Sequence, residues 1–164
     1  MAVAPDFEQK ICSPDDLERR VRRLALPCVF TNGVFDLLHR GHVTYLAQAR
    51  AEGASLVVAL NDDASTRRLG KGADRPINAL ADRLAVVASL ESVSLVTWFS
   101  EDTPEALIHL VRPQVLVKGG DWAVDKIVGA DFVRSLGGRV LSIPFEHERS
   151  TTRMLAKIRQ ADTA

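Results

Sequence analysis

Short apolar runs, rich in β-branched residues, recur along the chain at intervals. They cover residues 28–31, 55–60, 93–98, 114–117 and 139–143. Continuous apolar runs of this kind are typical of strands that are buried on both faces of a parallel sheet. We therefore predict a strand at each of the five positions.

Helical patterns fill the intervals between the runs. Ser13 is predicted to cap a first helix, because Pro14 follows in the first turn and Leu17 and Val21 then recur on one face. Four further helices are predicted. Two cover 43–51 and 80–90, one begins at 103–105, and the last begins after Ser150, which is its predicted cap.

The regular alternation of strand and helix predicts an α/β fold, a doubly wound and mainly five-stranded parallel sheet of the Rossmann-like type. We expect one domain over 1–164, with 1–26 as an N-terminal helical extension and 28–159 as the core. In such sheets ligands bind beyond the carboxyl ends of the strands, where the strand order reverses. Candidate functional residues therefore belong in the loops that leave the strands.

Composition narrows the classes of partner. Lys plus Arg and Asp plus Glu number 21 each, so no overall field attracts nucleic acid or an anionic membrane, and any anion site must be built locally. No apolar run approaches the roughly 20 residues that span a bilayer. Residues 1–10 lack the apolar stretch of a signal peptide, so we expect a cytoplasmic protein. Cys12 and Cys28 lack metal-binding spacing and are expected to be reduced thiols.

The most specific chemistry lies in the segment TNGVFDLLHRGH at 31–42. It leaves a predicted strand and enters a helix near Gly41, which places His39 and His42 close to the helix N-terminus. Unpaired N–H groups and a partial positive charge make such an end favourable for phosphate, and imidazoles donate hydrogen bonds to phosphate oxygens. The alternatives are ordinary loop histidines, or a metal site that would need Asp36 because no third His or Cys lies nearby.

This segment resembles the signature of the cytidylyltransferase-like nucleotidyltransferases. In those families the two histidines contact the nucleotide phosphates and stabilise the transition state. The resemblance implies catalytic roles for His39 and His42. It also implies that the rest of the segment lies against the nucleotide, through Thr31, Asn32, Gly33, Phe35, Asp36 and Gly41.

Four further stretches, at 61–65, 70–83, 117–122 and 149–152, resemble one branch of this family, the heptose-1-phosphate adenylyltransferases of lipopolysaccharide precursor synthesis. The similarity runs from about 28 to 159 and matches the free-standing form, without a kinase domain. It implies that ATP, accompanied by Mg²⁺, reacts with a sugar 1-phosphate to give an ADP-sugar and pyrophosphate. It also implies a homodimer. The chain departs from the branch at Ser94, where relatives often carry Asp, and at Asp62, where they more often carry Ser.

Two lysines are candidates for stabilising the leaving pyrophosphate. Lys71 lies in a Gly-rich loop, from which a long cationic side chain can close over a triphosphate, unless it is an ordinary surface lysine. Lys118 leaves a predicted strand directly into Gly119, so its ammonium is expected to point into the crevice.

The remaining candidates are polar residues near the same sheet edge. Arg83 is either a phosphate ligand or an ion-pair partner on the helix surface, with Asp82 or a neighbour. Asp36 and Asp63 are candidates for holding Mg²⁺ through water. The other predicted nucleotide-binding residues are Gly119, Arg149, Ser150, Thr151 and Thr152.

Two alternatives remain open at this stage. One is the same chemistry on another substrate pair, with CTP and glycerol 3-phosphate foremost. The other is a nucleotide-binding module without turnover. The stretches 75–78 and 118–121 favour the heptose branch over the first, and the complete set of histidines and lysines argues against the second.

Overall fold

The structure, a computed structural model, describes residues 5–70, 72, 74–146 and 151–161. The strands are β1 (Cys28–Gly33), β2 (Ser55–Asn61), β3 (Leu95–Phe99), β4 (Val115–Gly119) and β5 (Arg139–Ile143). The helices are α1 (Pro14–Val21), α2 (Arg40–Ala51), α3 (Asp63–Arg68), α4 (Leu80–Ala88), α5 (Glu105–Val111), α6 (Ala130–Ser135) and α7 (Thr151–Ala161). Short 3₁₀ helices cover Asp6–Lys10 and Val124–Lys126.

The five strands form one parallel sheet in the order β3-β2-β1-β4-β5. The chain runs outward from β1 through β2 to β3, and then returns to the other side of β1 to form β4. This reversal is the switch point of a doubly wound sheet, so the predicted fold class is confirmed. Each predicted strand is present with its ends shifted by at most two residues.

The strands β1 and β4 pair over a much shorter stretch than their neighbours. Their register consists of Val29 opposite Val115 and Phe30 opposite Leu116, whereas β1 pairs with β2 along its whole length. Beyond these two pairs β1 and β4 separate, and a crevice opens between their carboxyl ends. A crevice at this place is the usual ligand site of such sheets.

Two apolar cores cover the two faces of the sheet. Successive strand residues point to opposite faces, so Val29 packs with α2 and α4 while Phe30 packs with α1, α5 and α6. Burial on both faces explains why the strands appear in the sequence as continuous apolar runs.

Cys12 and Cys28 are free, buried thiols in the core that contains Phe30, and burial raises the pKa of each.

The helices agree less closely with the sequence pattern. The helix predicted over 80–90 ends at Ala88, and the one predicted to open at 103–105 begins at Glu105. Ser13 precedes α1 as expected, but its side chain makes no capping hydrogen bond. The predicted cap Ser150 lies outside the described residues. Among the residues that are described, no helix is long and apolar enough to cross a membrane.

Two short helices, α3 and α6, were not predicted, because six residues carry too little periodicity to identify a helix. The departure at Asp62 has a structural role, since its carboxylate accepts the backbone N–H of Ser65 at 2.6 Å and so caps α3. Ser94 likewise supports the sheet, because its hydroxyl accepts the backbone N–H of Leu56 at 3.0 Å.

Candidate active site

The two histidines of the 31–42 segment meet at the N-terminus of α2. His39 precedes the helix in an extended conformation, and His42 lies in its first turn. Their rings stack with centroids 3.9 Å apart and 22° between the planes. Gly41, between them in the chain, is buried. Two imidazoles and the positive end of a 12-residue helix therefore converge on one place, which suits a phosphate group.

The bend that leads to the histidines depends on close packing of Phe35. This residue has φ of 49°, which is uncommon for a side chain larger than Gly, and its ring lies 5.3 Å from that of His42. A Cβ on Gly33 would lie 2.9 Å from Cε2 of Phe35, so this position has room only for glycine. The Gly33-to-Phe35 bend thus brings an aromatic ring edge-on to the imidazole of His42.

The Thr31 side chain makes its contacts inside the protein. Its side chain is buried, and its hydroxyl lies 2.5 Å from the Tyr45 hydroxyl, which also donates to the carbonyl of Val117 at 3.5 Å. The predicted contact of Thr31 with the nucleotide stays a prediction. Its side chain joins β1 to α2, at the point where β1 and β4 separate.

Asp36 anchors a neighbouring loop. Its buried carboxylate accepts hydrogen bonds from Arg75 Nε at 2.6 Å and from the backbone N–H groups of Ile77 and Asn78 at 2.9 Å. The Asn78 amide in turn donates to the Asp36 carbonyl at 2.7 Å. Burial by itself raises the pKa of Asp36, but the bonds from Asn78, Ile77 and Arg75 outweigh it and hold the pKa below its ordinary value.

Arg83 is buried at the centre of this network. Its Nε donates to the carbonyl of Asn78 at 3.0 Å, and its Nη1 donates to the carbonyls of Val34 and Asn61, each at 2.8 Å. Its Nη2 pairs with Asp63 at 2.6 Å, while the Arg83 side chain itself is fully buried. The guanidinium thus ties three loops together. Its ion-pair partner is Asp63 and not Asp82, and its predicted contact with phosphate stays a prediction.

Replacing Asp36 with Asn should lower the free energy of unfolding at neutral pH by about 1.5–3 kcal/mol, because charge-assisted hydrogen bonds are lost. A carboxyl whose folded-state pKa lies below its ordinary value of 3.8 stabilises the fold above that pH. The stabilisation disappears as the pH falls through the folded-state pKa. Urea titrations between about pH 5 and pH 2 should therefore show wild type losing more stability than Asp36→Asn. Parallel curves would contradict the role assigned to Asp36.

Lys118 and Asn32 face each other across the crevice, from the carboxyl ends of β4 and β1. The Lys118 ammonium lies 3.4 Å from Asn32 Oδ1 and 5.8 Å from the centre of the Trp122 ring. This position agrees with the expectation that Lys118 points into the crevice. The Lys118 ammonium therefore lies next to both the 31–42 segment and the turn after β4.

A cavity of about 360 Å³ continues from this point toward the start of α5. Its volume is within the range of small-molecule sites. Polar side chains from β1, β2, β4, the loop after β3 and the second 3₁₀ helix line it together with apolar walls. The polar ones are Asn32, Asn61, Asp102, Thr103, Lys118 and Lys126, and the walls include Val34, Leu69, Pro104, Trp122, Ile127 and Val128.

The described residues do not fit a protein-held magnesium site. No group of three or more His, Cys, Asp or Glu side chains within them is placed to hold a metal ion. Both oxygens of Asp36 accept hydrogen bonds, and one oxygen of Asp63 accepts a hydrogen bond from Arg83. The expectation that these two carboxylates help to hold Mg²⁺ through water stays a prediction. Mg²⁺ is commonly bound by substrate phosphates and water together with few carboxylates.

Several predicted residues lie beyond what the structure describes. Lys71, Arg149 and Ser150 are outside the described residues. Thr151 and Thr152 begin α7, but their side chains are outside as well. The predicted roles of these five residues therefore stay predictions.

Sequence reasoning missed two groups of residues. The stretches containing Arg75, Asn78 and Trp122 had been singled out as family markers, but nothing in the pattern indicated what their side chains contact. Asp102 and Lys126 line the cavity, but neither belongs to a sequence motif, so only the fold reveals that they lie near the candidate site.

Comparisons with known proteins place the same segment in a wider context. A sequence model of the cytidylyltransferase-like proteins matches residues 30–155. The chain is 57% identical over 156 residues to D-beta-D-heptose 1-phosphate adenylyltransferase of Bordetella bronchiseptica, covering 94% of this chain and 96% of that protein. It is also 57% identical over 154 residues to bifunctional protein HldE of Azotobacter vinelandii, but it spans only 31% of that longer protein.

Solved structures show the same architecture. The lipopolysaccharide core biosynthesis protein from Thermoplasma volcanium superposes with a TM-score of 0.59 at 29% identity, covering 74% of this chain and 98% of that one. Pantoate-beta-alanine ligase from Francisella tularensis superposes with a TM-score of 0.58 at 15% identity, covering 86% and 68%, which shows a shared fold alone.

Proposed function

The chain belongs to the cytidylyltransferase-like family, and on that premise we propose that it is a heptose 1-phosphate adenylyltransferase. It transfers AMP from ATP to D-glycero-β-D-manno-heptose 1-phosphate, giving ADP-heptose for lipopolysaccharide core synthesis and releasing pyrophosphate. The main support for nucleotidyl transfer as the reaction type is the stacked pair of His39 and His42, which lies at a helix N-terminus beside the crevice. The substrate assignment is supported by 57% identity to a heptose 1-phosphate adenylyltransferase over nearly its whole length.

The reaction is an in-line displacement at phosphorus. An oxygen of the sugar phosphate bonds to the α-phosphorus of ATP as the bond from that phosphorus to the bridging oxygen breaks, and pyrophosphate leaves. The attacking phosphate monoester is already an anion, so no general base has to remove a proton. Catalysis then consists of positioning and of stabilising the charge that develops on the phosphate oxygens.

The side chains around the crevice match these needs. His39 and His42 donate hydrogen bonds to oxygens of the α- and β-phosphates, reinforced by the N-terminus of α2. Lys118 approaches from the opposite wall and stabilises the leaving pyrophosphate. Lys71 and the 149–152 segment complete the proposed site, as cations and hydroxyls around the triphosphate.

The 360 Å³ cavity is the proposed site of the sugar. Carboxylate, hydroxyl, amide and ammonium groups of Asp102, Thr103, Asn61 and Lys126 offer both donors and acceptors to sugar hydroxyls. A seven-carbon sugar presents more hydroxyls to such a lining than glycerol does. The lining therefore favours a heptose over the three-carbon alternative.

The direct test measures pyrophosphate release by the purified protein with Mg²⁺. ATP plus D-glycero-β-D-manno-heptose 1-phosphate should give turnover, whereas CTP plus glycerol 3-phosphate should give none above background. Omitting the sugar phosphate controls for simple ATP hydrolysis. Turnover with the second pair alone would overturn the heptose assignment while keeping the reaction type, and release from neither pair would overturn the proposed reaction.

A further inference from the structure

One wall of the 360 Å³ cavity is formed by the loop between β3 and α5. Asp102, Thr103 and Pro104 of this loop line the cavity. Leu69, which follows α3, lines it as well and is 41% exposed. This wall therefore combines a carboxylate, a hydroxyl and apolar surface, a combination that suits a ligand with many hydroxyl groups.

The loop is held in place by α3. Nε of Arg68 donates to Oδ1 of Asp102 at 2.8 Å, and Nη2 of Arg68 donates to the carbonyl of Ser100. The hydroxyl of Ser65 donates to the carbonyl of Glu101 at 2.9 Å. A carboxylate that is already fixed in this way loses little conformational entropy when a ligand binds to it.

Asp102 keeps most of its capacity to accept hydrogen bonds. Its side chain is 80% exposed, and its Oδ2 accepts no hydrogen bond from any residue that the structure describes. The two oxygens of a carboxylate offer about four acceptor positions. Hydroxyl groups on two adjacent carbon atoms can therefore donate to Asp102 as a pair while Oδ1 stays bonded to Arg68.

The fold places Asp102 well away from the proposed phosphate site. Asp102 follows β3, whereas Lys118 lies at the end of β4. Two strands separate β3 from β4 in the sheet, and neighbouring strands lie about 4.8 Å apart, so the ends of β3 and β4 are about 14 Å apart. A sugar 1-phosphate that reacts beside the histidines and Lys118 therefore points the end remote from C1 toward Asp102.

We propose that Asp102 is a specificity-determining residue, whose carboxylate accepts hydrogen bonds from the hydroxyls on C6 and C7 of the heptose. This inference rests on the proposed function, which supplies heptose 1-phosphate as the substrate. The two hydroxyls are on adjacent carbons of the side chain that extends from C5 of the sugar ring. Asp102 thereby selects sugars by this side chain, which a pentose lacks altogether. Hydrogen bonds to a charged group are worth about 10- to 150-fold in affinity.

Calorimetry in the presence of α,β-methylene-ATP measures the affinity for sugar phosphates without turnover. Asp102→Ala should weaken the binding of D-glycero-β-D-manno-heptose 1-phosphate by about 10- to 150-fold. The same variant should bind β-D-lyxose 1-phosphate as wild type does, because lyxose has the same ring hydroxyls and no carbon beyond C5. Glu101→Ala is the matched control. It removes the neighbouring carboxylate, which does not line the described cavity, and should leave both affinities unchanged.

Equal losses for the two sugar phosphates, or an unchanged affinity of Asp102→Ala for the heptose phosphate, would overturn the inference. The pyrophosphate assay separates this outcome from failure of the proposed function. If wild type turns over the heptose phosphate while Asp102→Ala binds it with wild-type affinity, the inference alone fails. If wild type neither binds nor turns over the heptose phosphate, the proposed function fails and the inference fails with it.

Discussion

Replacing His42 with alanine is expected to lower turnover by about 10²- to 10³-fold, while the protein remains folded. The imidazole lies in the first turn of α2, stacked on His39 and edge-on to Phe35. In the proposed reaction its N–H donates to the phosphate oxygens that gain charge. A fixed donor of this kind contributes about 2.7–4 kcal/mol to the transition state. Its side chain is only partly buried, so its removal creates no large cavity in either core.

The measurement compares kcat and thermal unfolding of His42→Ala with those of His109→Ala. His109 is a suitable control because it is also stacked on an aromatic ring, that of Phe132, with centroids 3.8 Å apart, but it lies on α5 and does not line the described cavity. His109→Ala should keep wild-type turnover. A folded His42→Ala enzyme with near-native kcat would contradict the mechanism.

Replacing Arg83 with methionine is expected to lower the free energy of unfolding by about 3–5 kcal/mol. Methionine keeps much of the buried volume but leaves the carbonyls of Val34, Asn61 and Asn78 without the guanidinium that satisfies them. A buried acceptor left unsatisfied costs about 1–3 kcal/mol. The loss is a large fraction of the roughly 5–15 kcal/mol that stabilises a typical domain.

Urea unfolding of Arg83→Met beside Arg68→Met isolates the effect of burial. Arg68 also pairs with an aspartate, Asp102, at 2.8 Å, but its side chain is 49% exposed, so its loss should cost about 0–1 kcal/mol. Arg83→Lys should remain close to Arg83→Met, because a lysine ammonium cannot reproduce the planar fork of donors. If Arg83→Met were as stable as Arg68→Met, the network would not be a structural anchor.

The strands were the most predictable elements. A strand buried on both faces needs an unbroken apolar run, so the sequence pattern is sufficient to locate it. The prediction for β1 stopped at residue 31, because Asn32 and Gly33 are not apolar, yet both pair with residues of β2. The short helix α3 was missed because its polar segment forms a helix through the Asp62 cap and contacts with β2.

The candidate site was predicted in part. His39, His42 and Lys118 were identified by their positions after strands, since the carboxyl ends of parallel strands meet at one edge. The structure adds that Thr31, Asp36 and Arg83 contact other protein groups, while their predicted contacts with a ligand stay predictions. Residue type alone cannot separate these roles, because a buried carboxylate and a metal-binding carboxylate use the same oxygen atoms.

The sequence by itself determined where the strands lie along the chain, the helix N-terminus that is the candidate phosphate site and the family, because each depends on residues close together in sequence. Only the tertiary structure decided which polar groups are free to meet a ligand. It placed Arg75 and Asn78 on Asp36, and Asn61 and Asp63 on Arg83. It also brought Phe145 beside Trp122. These contacts join residues that lie far apart in the chain, so they depend on how the strands and loops come together in the fold rather than on any local pattern.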